Sequence, residues 1–128
     1  MDERTRSKAV PEGKTPTIQA VEPSHAIIDV LQDLGSATVT EVAAETGLSK
    51  GGAYKQLKTL QQNGFVIQED CQYRLGLRFL DIGGQIRYNH PGSRIIKEKM
   101  QELAAETDET SIYTVLENDR TTTLFRES

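Results

Sequence analysis

Tryptophan is absent from this chain, and all aromatic residues together make up 5% of it. With hydrophobic residues at 36%, the composition supports a compact helical core of about 60–70 residues rather than one core through the whole chain. The single cysteine, Cys71, excludes an internal disulfide and any cysteine-rich zinc site. His25 and His90, the two histidines, have neither metal-ligand spacing nor a nucleophile motif beside them. Gly83-Gly84 is not a phosphate loop, and acidic residues such as Glu45 and Asp108-Glu109 read as solvated faces. The expectation is a protein that is not an enzyme and uses no cofactor or metal. Long apolar runs are also missing: nothing approaches the roughly 20 residues of a membrane span. The opening MDERTRSKAVPEGKTPT is polar and does not resemble a signal peptide. These absences predict a soluble, cytoplasmic protein without a membrane partner.

Positive charge is outnumbered, with 15 Lys and Arg against 19 Asp and Glu and a net charge of −4. Taken whole, that balance argues against a nucleic-acid partner. Its distribution argues the other way. Residues 1–97 carry 12 basic and 11 acidic side chains, whereas residues 98–128 carry 3 and 8. Within the first part, LSKGGAYKQLKTLQQNGF (residues 48–65) holds three lysines and no acid. It reads as a helix, yet it opens on two glycines, each costing a helix about 1 kcal/mol relative to alanine.

Residues 1–16, charged and with two prolines, predict a disordered tail. Helical periodicity starts at Pro23, a first-turn residue, and places Ile27, Val30, Leu31 and Leu34 on one face until Gly35 stops it. Thr38 and Glu41 stand at capping-box spacing before a second helix that ends at Gly47. Ser49 is the expected N-cap of a third helix, over about 49–63, which buries Ala53, Leu57 and Leu60 and stops at Asn63-Gly64. The period then shortens to two. FVIQEDCQYRL predicts a hairpin turning near Asp70 and Cys71, with Phe65, Ile67, Tyr73 and Leu75 as its apolar positions. Three helices and then a hairpin is the order of a winged helix-turn-helix.

Leu77, Leu80, Ile82 and Ile86 continue as a helix broken at His90-Pro91-Gly92. Gly83-Gly84 either weakens that helix or admits another backbone. A further helix is expected to turn Ile95, Ile96, Met100, Leu103 and Ala104 inward, followed by two β-rich stretches around Glu117-Asn118-Asp119. A lone hairpin is marginal in water, so this end reads as the opening of a larger α/β domain. The fold class is α+β. The divisions are a tail at 1–16, a winged helix at 17–76, a linker helix at 77–92 and the start of an incomplete domain at 93–128.

The chemistry of helix three suits DNA. Lysine in a first turn opposes the helix dipole, a cost that an anion at the free N–H groups offsets. Gly51 and Gly52 lack Cβ atoms and let the helix end approach a phosphate or base edge closely. Lys50 and Lys55 can reach phosphates or guanine, Tyr54 a base edge or phosphate, and Lys58 a phosphate. Arg74, on the outward phase of the wing, can meet a neighbouring phosphate. Glu69 and Asp70 oppose that, which leaves a protein-interaction module without specific DNA binding as the competing function.

The runs TVTEVAAETGLSKGGAYKQLKTLQQNGFV and YRLGLRFLDIG resemble the IclR family of transcription regulators, and the likeness extends from about Thr17 to the end. It implies a winged helix, a linker helix and the first helix and hairpin of a GAF-like effector-binding domain. It also implies a repressor or activator that works as a dimer or tetramer on a palindromic operator in double-stranded DNA. Ser49, Lys50, Gly51, Gly52, Tyr54 and Lys55 fall at the DNA-reading start of the recognition helix. Gly51 and Gly52 stand where the family usually has Ser-Thr, and Pro23 where a basic residue is common. A complete sensing domain needs a much longer chain, so a small-molecule effector is expected only with one, and no effector-binding residue is carried over.

Overall fold

The computed structural model describes residues 15–128. The tail expected at 1–16 therefore lies almost wholly outside the described residues. The chain divides after Gly76 into two compact units.

The first unit comprises α1 (Val21–Leu34), α2 (Val39–Thr46), α3 (Lys50–Gln62), β1 (Val66–Glu69) and β2 (Gln72–Leu75). Local chemistry accounts for most of the boundaries. α1 starts two residues ahead of Pro23, with Ala20 at the N-cap and no side-chain cap there. Pro23 is thus the third helical residue, where an absent N–H costs nothing because the first four have no partner in the helix. Gly35, at φ 83°, ends α1 by donating its N–H to the Leu31 carbonyl. Leu34 departs from the expected stripe and stands exposed.

Thr38 and Glu41 form a reciprocal capping box: the Glu41 N–H donates to Thr38 Oγ1 at 3.1 Å, and the Thr38 N–H to Glu41 Oε1 at 2.8 Å. Thr38→Ala is expected to lower the stability of this unit by about 1 kcal/mol, read as a shifted midpoint of urea unfolding.

Ile27, Leu31, Ala37, Val42, Ala53, Leu57, Val66 and Tyr73 form the core of this unit. Ala37, between α1 and α2, adds a bridge to the hairpin: its N–H donates to the Tyr73 carbonyl at 3.0 Å, and the Tyr73 N–H returns to its own at 2.8 Å. The bridge anchors the wing to the helices.

The phase of β1 corrects the sequence reading. Val66 is the fully buried residue, while Ile67 is exposed and Phe65 half-buried. The register pairs Val66 with Leu75, Ile67 with Arg74, Gln68 with Tyr73 and Glu69 with Gln72. Directly opposed residues share a face of an antiparallel pair, so an inward Tyr73 turns Gln68 and Val66 inward with it. A two-residue turn at Asp70 and Cys71 cannot place Ile67 and Tyr73 on one side.

The second unit comprises α4 (Arg78–Asn89), α5 (Ser93–Thr107), β3 (Ser111–Glu117) and β4 (Arg120–Glu127). The last two form an antiparallel hairpin whose turn residues Asn118 and Asp119 have φ 50° and 60°, the backbone that a tight two-residue hairpin turn requires. α5 packs on the hairpin, with Ala104 buried and Ile96 and Met100 half-buried. The hydroxyl of buried Ser111 donates to the Met100 carbonyl at 2.7 Å. Ile95 and Leu103, expected inside, are exposed. Spacings of four residues from Ile96 to Ala104 make a narrow stripe, and a two-stranded sheet is too small to cover a wider one. α4 holds to β4 through Arg87, whose Nε donates to the Leu124 carbonyl at 2.7 Å and whose guanidinium lies 5.8 Å from the Phe125 ring centroid. Leu77, Leu80, Ile82 and Ile86 are all exposed, and the space beside Gly83 and Gly84 is open. No helix among the described residues is long and apolar enough to cross a membrane.

Candidate nucleic-acid interface

The connection between α2 and α3 is short and held by local hydrogen bonds. Gly47, at φ 78°, closes α2 through its N–H to the Ala43 carbonyl at 3.0 Å, and Thr46 Oγ1 accepts from the Leu48 N–H at 3.3 Å. Leu48 packs against the core. Ser49 Oγ accepts from the Gly52 N–H at 3.0 Å, the N-cap anticipated from the sequence. Everything about this turn serves to start α3 at one place and angle.

The opposite faces of α3 then have different tasks. Ala53 and Leu57 are fully buried, and Leu60 is half-buried against the same core. Lys50, Gly51, Tyr54 and Lys55 are exposed. Lys50 and Tyr54 are four residues apart, as are Gly51 and Lys55, so the four form one solvent-facing patch over the first two turns. The helix has no acidic residue in its first turn or elsewhere in Lys50–Gln62. With Ser49 occupied by Gly52, the N–H groups of the turn's first residues remain unbonded within the helix. The patch therefore combines two ammonium groups, a phenol and a helix N-terminus.

The two glycines differ. A Cβ on Gly52 would lie 3.0 Å from Ser49 Oγ and press on the cap, whereas one on Gly51 would meet nothing within 4 Å. No packing among the described residues therefore calls for glycine at 51. Gly51→Ala should raise the melting temperature, by up to about 1 kcal/mol of helix propensity. It should also weaken binding to a selected DNA duplex several-fold if close approach is why glycine stands there. Unchanged affinity would remove that explanation.

Lys58, Arg74 and Gln56 have partners inside the unit. Lys58 Nζ donates to Gln61 Oε1 at 3.1 Å and to Gln68 Oε1 at 2.7 Å, and lies 5.5 Å from the Tyr54 ring centroid and 5.7 Å from that of Tyr73. Arg74 points away from the core, as expected. Its Nε meets Glu69 Oε1 at 2.9 Å, and a terminal nitrogen donates to the Leu75 carbonyl at 3.2 Å. Gln56 accepts from the Ser24 hydroxyl and donates to the Ala20 carbonyl at 3.4 Å, which ties the uncapped start of α1 to α3. Lys50, Tyr54 and Lys55 thus share one surface, while Arg74 lies on the outer strand face of the wing beside an acid.

Cys71 is exposed in the wing turn, and no group of three potential metal ligands occurs among the described residues. Gln68 and Gln61 were missed in the sequence. The signal for Gln68 was its pairing opposite Tyr73.

Three packed helices, a capped third helix with an acid-free outer face, and a hairpin bridged back to the first connection define a winged helix-turn-helix domain. The IclR helix-turn-helix domain matches residues 21–70. The winged-helix unit is thus an IclR helix-turn-helix domain. It is 30% identical over 120 residues to the protein named "Probable HTH-type transcriptional regulator ArcR" of Halobacterium salinarum, covering 93% of this chain and 44% of that one. It is 31% identical over 109 residues to the HTH-type transcriptional regulator XynR of Escherichia coli, covering 80% and 42%. Among solved structures, an IclR family regulator from Brucella abortus superposes with a TM-score of 0.75 at 19% identity, over 93% of this chain and 47% of that one. At that identity the likeness concerns the fold. The chain spans less than half the length of the curated relatives it matches.

Proposed function

We propose that this chain is the DNA-reading part of a sequence-specific transcription regulator. In this reading α3 enters the major groove, with Lys50 and Lys55 on phosphates or guanine edges and Tyr54 on a base edge. The observation that carries it is the exposed patch of Lys50, Gly51, Tyr54 and Lys55 around a serine-capped helix start. Arg74 is assigned a secondary phosphate contact, because its ion pair with Glu69 is solvent-exposed and such pairs contribute little, about 0–1 kcal/mol. The protein works in the cytoplasm, without catalysis, as a dimer or tetramer on a palindromic operator. An effector site is assigned only to a longer chain, with residues 77–92 read as the linker helix and 93–128 as the start of an effector-binding domain.

The test is a fluorescence-anisotropy titration with duplexes enriched from a random pool and with scrambled controls, at two salt concentrations. Selective binding that weakens steeply with salt is expected. If no sequence is enriched, the winged helix is a protein-docking module instead.

A further inference from the structure

We propose that Lys58 positions the recognition surface rather than contacting DNA: its ammonium is the strut between α3 and the wing, and it orients Tyr54. This rests on the DNA-binding reading for its consequence, though not for its geometry. An ammonium group has three N–H donors and no acceptor. Two of those of Lys58 go to carboxamide oxygens, Gln61 one turn along α3 and Gln68 in β1. Gln68 in turn donates its Nε2 to the Asp70 carbonyl at 3.0 Å, so the path continues from α3 through the strand to the turn of the wing. Two tyrosine rings flank the cation, Tyr54 at 5.5 Å and Tyr73 at 5.7 Å, within the range of cation–π attraction.

These two rings belong to different places. Tyr73 is buried and bridged to Ala37, whereas Tyr54 is half exposed in the patch with Lys50. One cation between them ties the exposed ring to the fixed one. Lys58 is only partly exposed, unlike Lys50 and Lys55. Among the described residues no carboxylate takes part in the cage, so the charge is held by oriented dipoles and ring faces. A carboxylate there would draw the ammonium away from the rings.

The decisive variant is Lys58→Met, which keeps an unbranched stem and removes the charge and donors. Two readouts apply. In the free protein, amide hydrogen exchange over residues 66–75 should quicken about three- to tenfold relative to wild type, with α1 and α2 unchanged. On DNA, affinity for the selected duplex should fall more than affinity for the scrambled one, while the slope of log K against log salt stays at its wild-type value. A direct phosphate contact predicts the opposite: equal loss on both duplexes and a slope smaller by about 0.9. That result overturns the proposal. So does unaltered wing exchange, or exchange quickened throughout residues 21–75, which would mean general destabilisation. If the wild type selects no duplex, the DNA-binding reading falls and the exchange measurement still decides the strut.

Discussion

Tyr73→Ala is expected to leave the winged-helix unit largely unfolded at 25 °C. Its side chain is 2% exposed and is the largest of the fully buried ones, packed with Ile27, Leu31, Leu57 and Val66 in one cluster. Truncating a buried aromatic to alanine costs about 3–5 kcal/mol, from lost transfer energy and the cavity left behind. A unit of this size has a total stability of only about 3–9 kcal/mol at the usual value per residue. The loss is therefore comparable with the whole. Circular dichroism in urea would measure it, with Val66→Ala and Ile67→Ala as a matched pair. Val66 is fully buried and Ile67 is 37% exposed, so Val66→Ala should be the more damaging despite removing the smaller side chain. The reverse order would mean that the phase of β1 is the one first expected from alternation.

Lys50→Ala/Lys55→Ala should abolish most DNA affinity without harming the fold. Both residues are exposed, and neither has a side-chain partner described within the unit. Each phosphate neutralised releases counterions and contributes about 0.9 to the salt slope. The double variant should thus reduce that slope by roughly 1.8. At 0.1 M salt, two such contacts correspond to a loss on the order of 60-fold relative to a 1 M reference. If one lysine reads a guanine edge instead, its share of the slope change should disappear and base preference should relax at that position. The melting temperature should hold or rise, since Lys50 opposes the dipole of its own helix. Wild-type affinity in the double variant would rule out α3 as the reading helix.

Much of this protein was legible locally, for a plain reason. Capping and turn formation depend on residues a few positions apart, so Thr38 with Glu41, Ser49 with Gly52, Gly35, Gly47 and Asn118-Asp119 announced their roles in the linear chain. The apolar faces of α1, apart from Leu34, and of α3 followed from helical spacing, and the exposed patch followed as the remainder of α3. Resemblance then supplied the family, which composition could not have done with a net charge of −4.

Tertiary structure decided the rest, because those contacts join residues that spacing does not connect. Alternation within β1 pointed to Phe65 and Ile67, and only the pairing with an inward Tyr73 selected Val66. Ala37 was an unremarked linker residue until its bridge to β2 fixed the wing. α5 offered five apolar residues, and a sheet of two strands had room for three. Lys50, Lys55 and Lys58 were equivalent as letters. A strand folded back against α3 put two amide oxygens and two rings around the third and left the first two in solvent.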